Sequence, residues 1–95
     1  MQNFLYVIGV HSNGPVKLGI SNNPDRRVRQ LQTGHSDRLH LFHTEPVPAG
    51  VFEKLLHNNL RHRRLRGEWF DLTVEQAIAD VMFVVIEHGG SVLDG

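Results

Sequence analysis

The chain contains no cysteine, which excludes a disulfide framework, a thiolate zinc site and a cysteine nucleophile. No apolar run reaches the length a bilayer requires. The N-terminus has no basic stretch followed by a hydrophobic one, so no signal peptide is read there. A cytoplasmic location without membrane contact is the expectation. Internal repeats and low-complexity segments are absent. Basic residues are missing from one end altogether: residues 68–95 hold six acids and no Lys or Arg, a balance of −6. Residues 1–67 hold all ten Lys and Arg against Asp25, Asp37, Glu45 and Glu53, a balance of +6. The formal net charge of zero conceals this split. Only the first two-thirds of the chain is suited to face a polyanion.

What is present reads as one domain. Ninety-five residues lie near the lower end of what a single core stabilises. Residues 3–10 are β-branched and aromatic on both faces, as expected of a central strand. A turn cluster, His11 to Pro15, leads to residues 16–20, where Val16, Leu18 and Ile20 share one face and Lys17 and Gly19 the other. The two strands form a hairpin. Asn23 suits an N-cap, Pro24 the first helical position and Gly34 a helix end. Residues 38–44 read as a third strand, with Leu39 and Leu41 on one face, before Pro46 and Pro48 break the chain. Residues 49–64 read as a helix burying Phe52, Leu55, Leu56 and Leu60, stopped by Gly67. Residues 68–72 form a short extended piece, with Trp69 and Phe70 as core. Thr73 with Gln76 makes a capping box for a last helix, about 73–88, which buries Val74, Ala77, Ile78, Val81, Met82, Val85 and Ile86. Gly89-Gly90 and the tail are read as loosely held. The expected fold is α+β: a central, mostly antiparallel three-stranded sheet flanked by three helices, in one domain spanning 1–95.

Helical periodicity selects particular side chains. With Pro24 at 0° and about 100° per residue, Val28 and Leu31 fall near 40° and 340°, and Arg27 near 300° at the border of the buried stripe. Arg26 falls near 200°, towards solvent. A bordering arginine offers a fork of donors to a phosphate, or pairs with a carboxylate. On the second helix, Glu53 and His57 lie one turn apart beside the Phe52–Leu56 stripe, with Arg64 on the same edge. A carboxylate at the rim of a core suits a hard cation such as Mg²⁺; the alternative is a surface Glu–His pair. Lys17 would lie close to Tyr6 across the hairpin and lower its pKa, or hold a phosphate. Arg61, Arg63 and Arg64, in the run RHRRLR, read as phosphate-backbone contacts or as positive charge at a helix C-terminus. Glu68 is expected to pair with that basic run.

The order strand, strand, helix, strand, helix, with Tyr6, Lys17-Leu18-Gly19, Arg27 and Glu53 at these spacings, resembles the catalytic core of the GIY-YIG nuclease family over about residues 4–72. Glu53 with His57, and Gly67-Glu68-Trp69-Phe70, are similar to the small branch typified by the T5 open-reading-frame 172 group. The resemblance implies a DNA endonuclease in which Glu53 holds Mg²⁺ or Mn²⁺ and Tyr6, with Lys17, aligns a water. It implies that Arg27 stabilises the transition state and that His57 belongs to the site. Arg26, Arg29, Arg61, Arg63 and Arg64 would bind duplex or single-stranded DNA. One site would cut one strand, in a monomer or weak homodimer. Lys17 stands where the wider family has a tyrosine. Two other readings therefore stay open: a binding module of this fold without chemistry, and a protein-interaction domain docking through its acidic last helix.

Overall fold

The computed structural model describes residues 2–48 and 50–88. Its elements are β1 (Asn3–Gly9), β2 (Val16–Ser21), α1 (Pro24–Gln32), β3 (His40–Val47), α2 (Val51–Asn59), a 3-10 turn (Arg61–Arg63), β4 (Arg64–Arg66), β5 (Trp69–Phe70) and α3 (Val74–His88). The architecture is α+β, with three α-helices about one sheet. Among the described residues no helix is long and apolar enough to cross a membrane.

The sheet has five strands rather than the expected three. Their order is β3-β1-β2-β5-β4, and every pairing is antiparallel. Strand β5 falls in the segment read as a short extended piece, and β4 begins at Arg64, where the second helix is expected to end; α2 itself stops at Asn59, not at 64. Four arginines within RHRRLR repel one another when wound into adjacent helical turns. Instead Arg61 and Arg63 lie in the 3-10 turn and Arg64 and Arg66 on the exposed edge strand, all four open to solvent, and the charge on β4 discourages further strand pairing. Gly67 makes the reversal possible, since its φ of +56° suits glycine far better than other residues. Strand β3 runs on through Pro46 to Val47; it is an edge strand, where a proline costs no ladder hydrogen bond.

Helices cover both faces. Leu5, Val7, Val16 and Leu18 point to one side and pack with Phe52 and Leu56 of α2 and with Val74, Ala77, Val81 and Val84 of α3. Tyr6 and Ile8 point to the other side, with Leu39, Leu41 and Trp69 and with Val28 and Leu31 of α1. Hence Leu5 through Ile8 are each no more than 1% exposed. The expected caps are present: Asn23 Oδ1 accepts from the Arg26 N–H at 3.1 Å, and Thr73 and Gln76 exchange reciprocal hydrogen bonds of 3.0 and 3.1 Å. The buried stripe of α3 includes Val84 but not Ile86, which is 64% exposed. Ile86 lies about 200° round the helix from Val84. Gly89-Gly90 and the tail lie outside the described residues.

Helix α3 closes one face of the sheet. Truncation after Leu72 removes three buried valines, Val74, Val81 and Val84, worth roughly 1.5–3 kcal/mol apiece, from a fold whose whole stability is on the order of 5–15 kcal/mol. Fragment 1–72 should therefore lack a cooperative thermal transition by circular dichroism. A sharp, reversible melt would show that α3 is an accessory.

Candidate functional site

Strand β5 pairs with β2 only at Val16 and Lys17, although β2 continues to Ser21. A backbone hydrogen bond from Leu18 N–H to the Glu68 carbonyl, 3.0 Å, extends the contact by one step. Beyond it lies a notch in the sheet, where backbone groups of β2 need other partners. Helix α2 supplies them. Glu53 Oε2 accepts from the Ile20 N–H at 3.1 Å, and His57 Nε2 lies 2.7 Å from the Leu18 carbonyl oxygen. A carbonyl can only accept, so Nε2 carries the proton and Nδ1 is left as the basic atom. Histidines that bind metals usually anchor their other ring nitrogen in this way.

Glu68 completes the notch. It follows Gly67 in the β4–β5 turn, and its Oε1 lies 3.5 Å from Lys17 Nζ. Its partner is thus Lys17, not the basic run. Arg64, on β4 rather than on the second helix, donates from Nε to the Gly67 carbonyl at 2.6 Å. One ligand atom from each of Glu53, His57 and Glu68 can be chosen so that all lie within 4.8 Å of one another. Burial pushes the Glu53 carboxyl above its ordinary value, and the charge of Glu68 and a hydrogen bond with it push the same way. His57 and the Ile20 N–H oppose them. Two facing carboxylates of this kind are unfavourable until a proton or a cation lies between them. A Glu-His-Glu cluster with these properties could bind a metal ion.

Tyr6 and Arg27 reach the same place from the α1 side. Tyr6 pairs with Gly19 across the hairpin, and its side chain lies over that glycine. A β-carbon on Gly19 would sit 2.3 Å from the Tyr6 hydroxyl oxygen and 3.0 Å from Glu68 Oε1. Burial raises the Tyr6 pKa. The Arg27 side chain, hydrogen-bonded to the phenol, acts in the lowering direction without cancelling that effect. The lysine-lowered phenol expected from the sequence is therefore not found: Lys17 pairs with Glu68 and lies 5.8 Å above the centroid of Trp69. Tyr6 is neutral at physiological pH.

Of the arginines on α1, Arg27 is half-buried, whereas Arg26 and Arg29 are exposed. Arg61, Arg63 and Arg64 are exposed as well. These five arginines are open to a polyanion, and Arg38 and Arg66 are exposed too. The residue that sequence reasoning misses as a possible ligand is Glu68. Its signal is the glycine before it, which marks a turn able to swing the carboxylate back over β2.

Gly19→Ala isolates the importance of this packing. The new methyl group cannot coexist with the Tyr6 hydroxyl, so the ring must move or β1 and β2 must separate. Overpacking of this kind costs about 1–3 kcal/mol. The expected result is a folded protein with a lowered Tm and without the Tyr6–Arg27 contact, read from the tyrosine and arginine side-chain resonances. Unchanged resonances would show that the notch has slack.

No curated protein and no solved structure matches the chain. The T5orf172 domain matches over residues 3–85, a span that includes every residue of the notch. The chain belongs to the T5orf172 domain family.

Proposed function

We propose that the protein is a divalent-metal-dependent endonuclease that hydrolyses DNA phosphodiester bonds, cutting one strand per site, with the notch at β2 as its active site. The observation that carries this reading is the convergence round Gly19 of three candidate ligands, Glu53, His57 and Glu68, with a tyrosine, an arginine and a lysine. Family membership and the basic first two-thirds of the chain favour a nucleic acid as the partner.

Two carboxylates and an imidazole fit Mg²⁺ or, with the nitrogen donor, Mn²⁺. Such an ion would supply charge stabilisation at the phosphate and at the leaving oxygen. The side chains do the rest. Tyr6, neutral and fixed by Arg27, orients the attacking water through its hydroxyl. Lys17, held by Glu68 and Trp69, brings a positive charge to the phosphate. Arg27 offers a rigid fork of donors to the oxygens that gain charge in the transition state. Water adds to phosphorus, the P–O3′ bond breaks, and the water's proton passes to solvent while the 3′-oxygen gains one. The products are a 5′-phosphate and a 3′-hydroxyl.

The test is incubation with supercoiled and single-stranded DNA in Mn²⁺, against a chelator control, with end analysis of the products. Nicks bearing 5′-phosphates, formed only with metal, are expected. Salt-sensitive retention of DNA without cutting would replace this reading with a binding module. Neither cutting nor retention would favour a protein-interaction domain.

A further inference from the structure

Phe4 has no obvious structural duty. It lies two residues from Tyr6 on β1, so its side chain points to the same face of the sheet. It is half-buried, yet it belongs to neither hydrophobic cluster. It lines a cleft of about 380 Å³ between β3 and the first turn of α1, together with Leu41, Thr44, Asn23, Pro24 and Asp25. Thr44 pairs with Tyr6 in the β1–β3 register, so the cleft adjoins the notch without sharing its residues.

The chemistry of the lining defines what fits. Phe4 and Leu41 offer an apolar floor with one aromatic ring. Asn23 has committed Oδ1 to capping α1, so its amide donors are what it has to offer a ligand. Asp25 disfavours a phosphate but accepts from an amino group. A flat heterocycle with ring acceptors and exocyclic amines satisfies all three, and a backbone phosphate does not.

Contact geometry defines the state of that heterocycle. In a duplex the faces of an interior base are covered by its stacked neighbours and its hydrogen-bonding edge by its partner, so a base that lays a face on the Phe4 ring and offers its edge to Asn23 and Asp25 must have left the stack. We propose that this cleft binds an unstacked nucleobase flanking the scissile phosphate, so that the enzyme selects DNA that is single-stranded or locally unpaired at the cut. The proposal rests on the nuclease reading of the adjoining notch.

Equilibrium binding in chelator separates the two, because it does not require cutting. The probes are a fluorescent single-stranded oligonucleotide and the duplex of the same sequence, with Phe4→Ala and Phe4→Leu as variants. Phe4→Leu keeps apolar bulk and removes only the aromatic face, so the fold is retained. Loss of one base–aromatic stack should weaken single-strand binding about tenfold in both variants, with duplex affinity unchanged. Single-strand affinity of Phe4→Leu equal to wild type, equal losses on both probes, or no single-strand binding by the wild type would overturn the proposal. Failure of the wild type to nick DNA in Mn²⁺ would instead count against the notch as an active site.

Discussion

Glu53→Gln should cut DNA no faster than the chelated wild-type protein, while binding DNA with similar affinity. It should also be more stable than wild type when no metal is present. The substituted amide would still accept from the Ile20 N–H through its oxygen, so the local fold survives. Its nitrogen would donate to Glu68 where two carboxylates faced each other. The sign of the pH effect follows from the raised Glu53 carboxyl. A raised folded-state pKa means that the folded protein holds that proton more tightly than the unfolded chain. The stabilisation from protonation is therefore complete below the ordinary carboxylate pKa and lost as pH rises through the raised value. Metal-free wild-type protein should lose stability over that window, and Glu53→Gln should not. Metal competes for the same site, so its affinity should fall as pH drops through the raised value. At a hundredfold excess over Kd, an ion contributes about 2.7 kcal/mol, a rise in Tm of roughly 10–20 °C for a domain of this size. Thermal melts with and without Mn²⁺ check both halves: the variant should start higher and not move. If the variant starts lower than wild type, Glu53 is a structural group whose main duty is to the β2 edge.

Arg27→Ala and Arg26→Ala should differ sharply although the residues are neighbours. Arg27 reaches the Tyr6 hydroxyl, whereas Arg26 is exposed on the outer side of α1. Removing a preorganised donor from a transition state slows cleavage about 10²–10³-fold. Removing one phosphate contact weakens binding and reduces the salt slope by about one. Single-turnover cleavage at saturating protein separates the two effects. Arg27→Ala should be slow even when all DNA is bound, and Arg26→Ala should recover fully. Equal losses at saturation would show that the notch does not use Arg27.

Much of this arrangement is legible in the sequence. The both-face apolar run of β1, the Asn23-Pro24 helix start and the Thr73–Gln76 box each express a local rule, and each appears as read. The wheel that sets Arg27 apart from Arg26 is also local, because it needs only a fixed helical origin. What is not legible is what depends on distant pairing. RHRRLR has no period that distinguishes a helix end from an edge strand. Its conformation is decided by Gly67 and by the short partner strand Trp69–Phe70. With that hairpin hidden, the notch beside it is hidden too, and Glu68 is matched to the nearest arginines in sequence rather than to Lys17. The Tyr6 pKa escapes a sequence reading for a related reason: charge neighbours can be guessed from register, but the depth of burial that outweighs them cannot.

One divalent cation held by Glu53, His57 and Glu68 is the foundation of the other expectations, and titration of metal-free protein with Mn²⁺ tests it directly. Calorimetry or Mn²⁺ electron paramagnetic resonance should give one ion per chain for the wild type. It should give no saturable binding for Glu53→Gln and strongly weakened binding for Glu68→Gln, with both variants folded. Binding that is absent in the wild type, or equally tight in all three proteins, would contradict the metal centre and with it the nuclease reading of the notch.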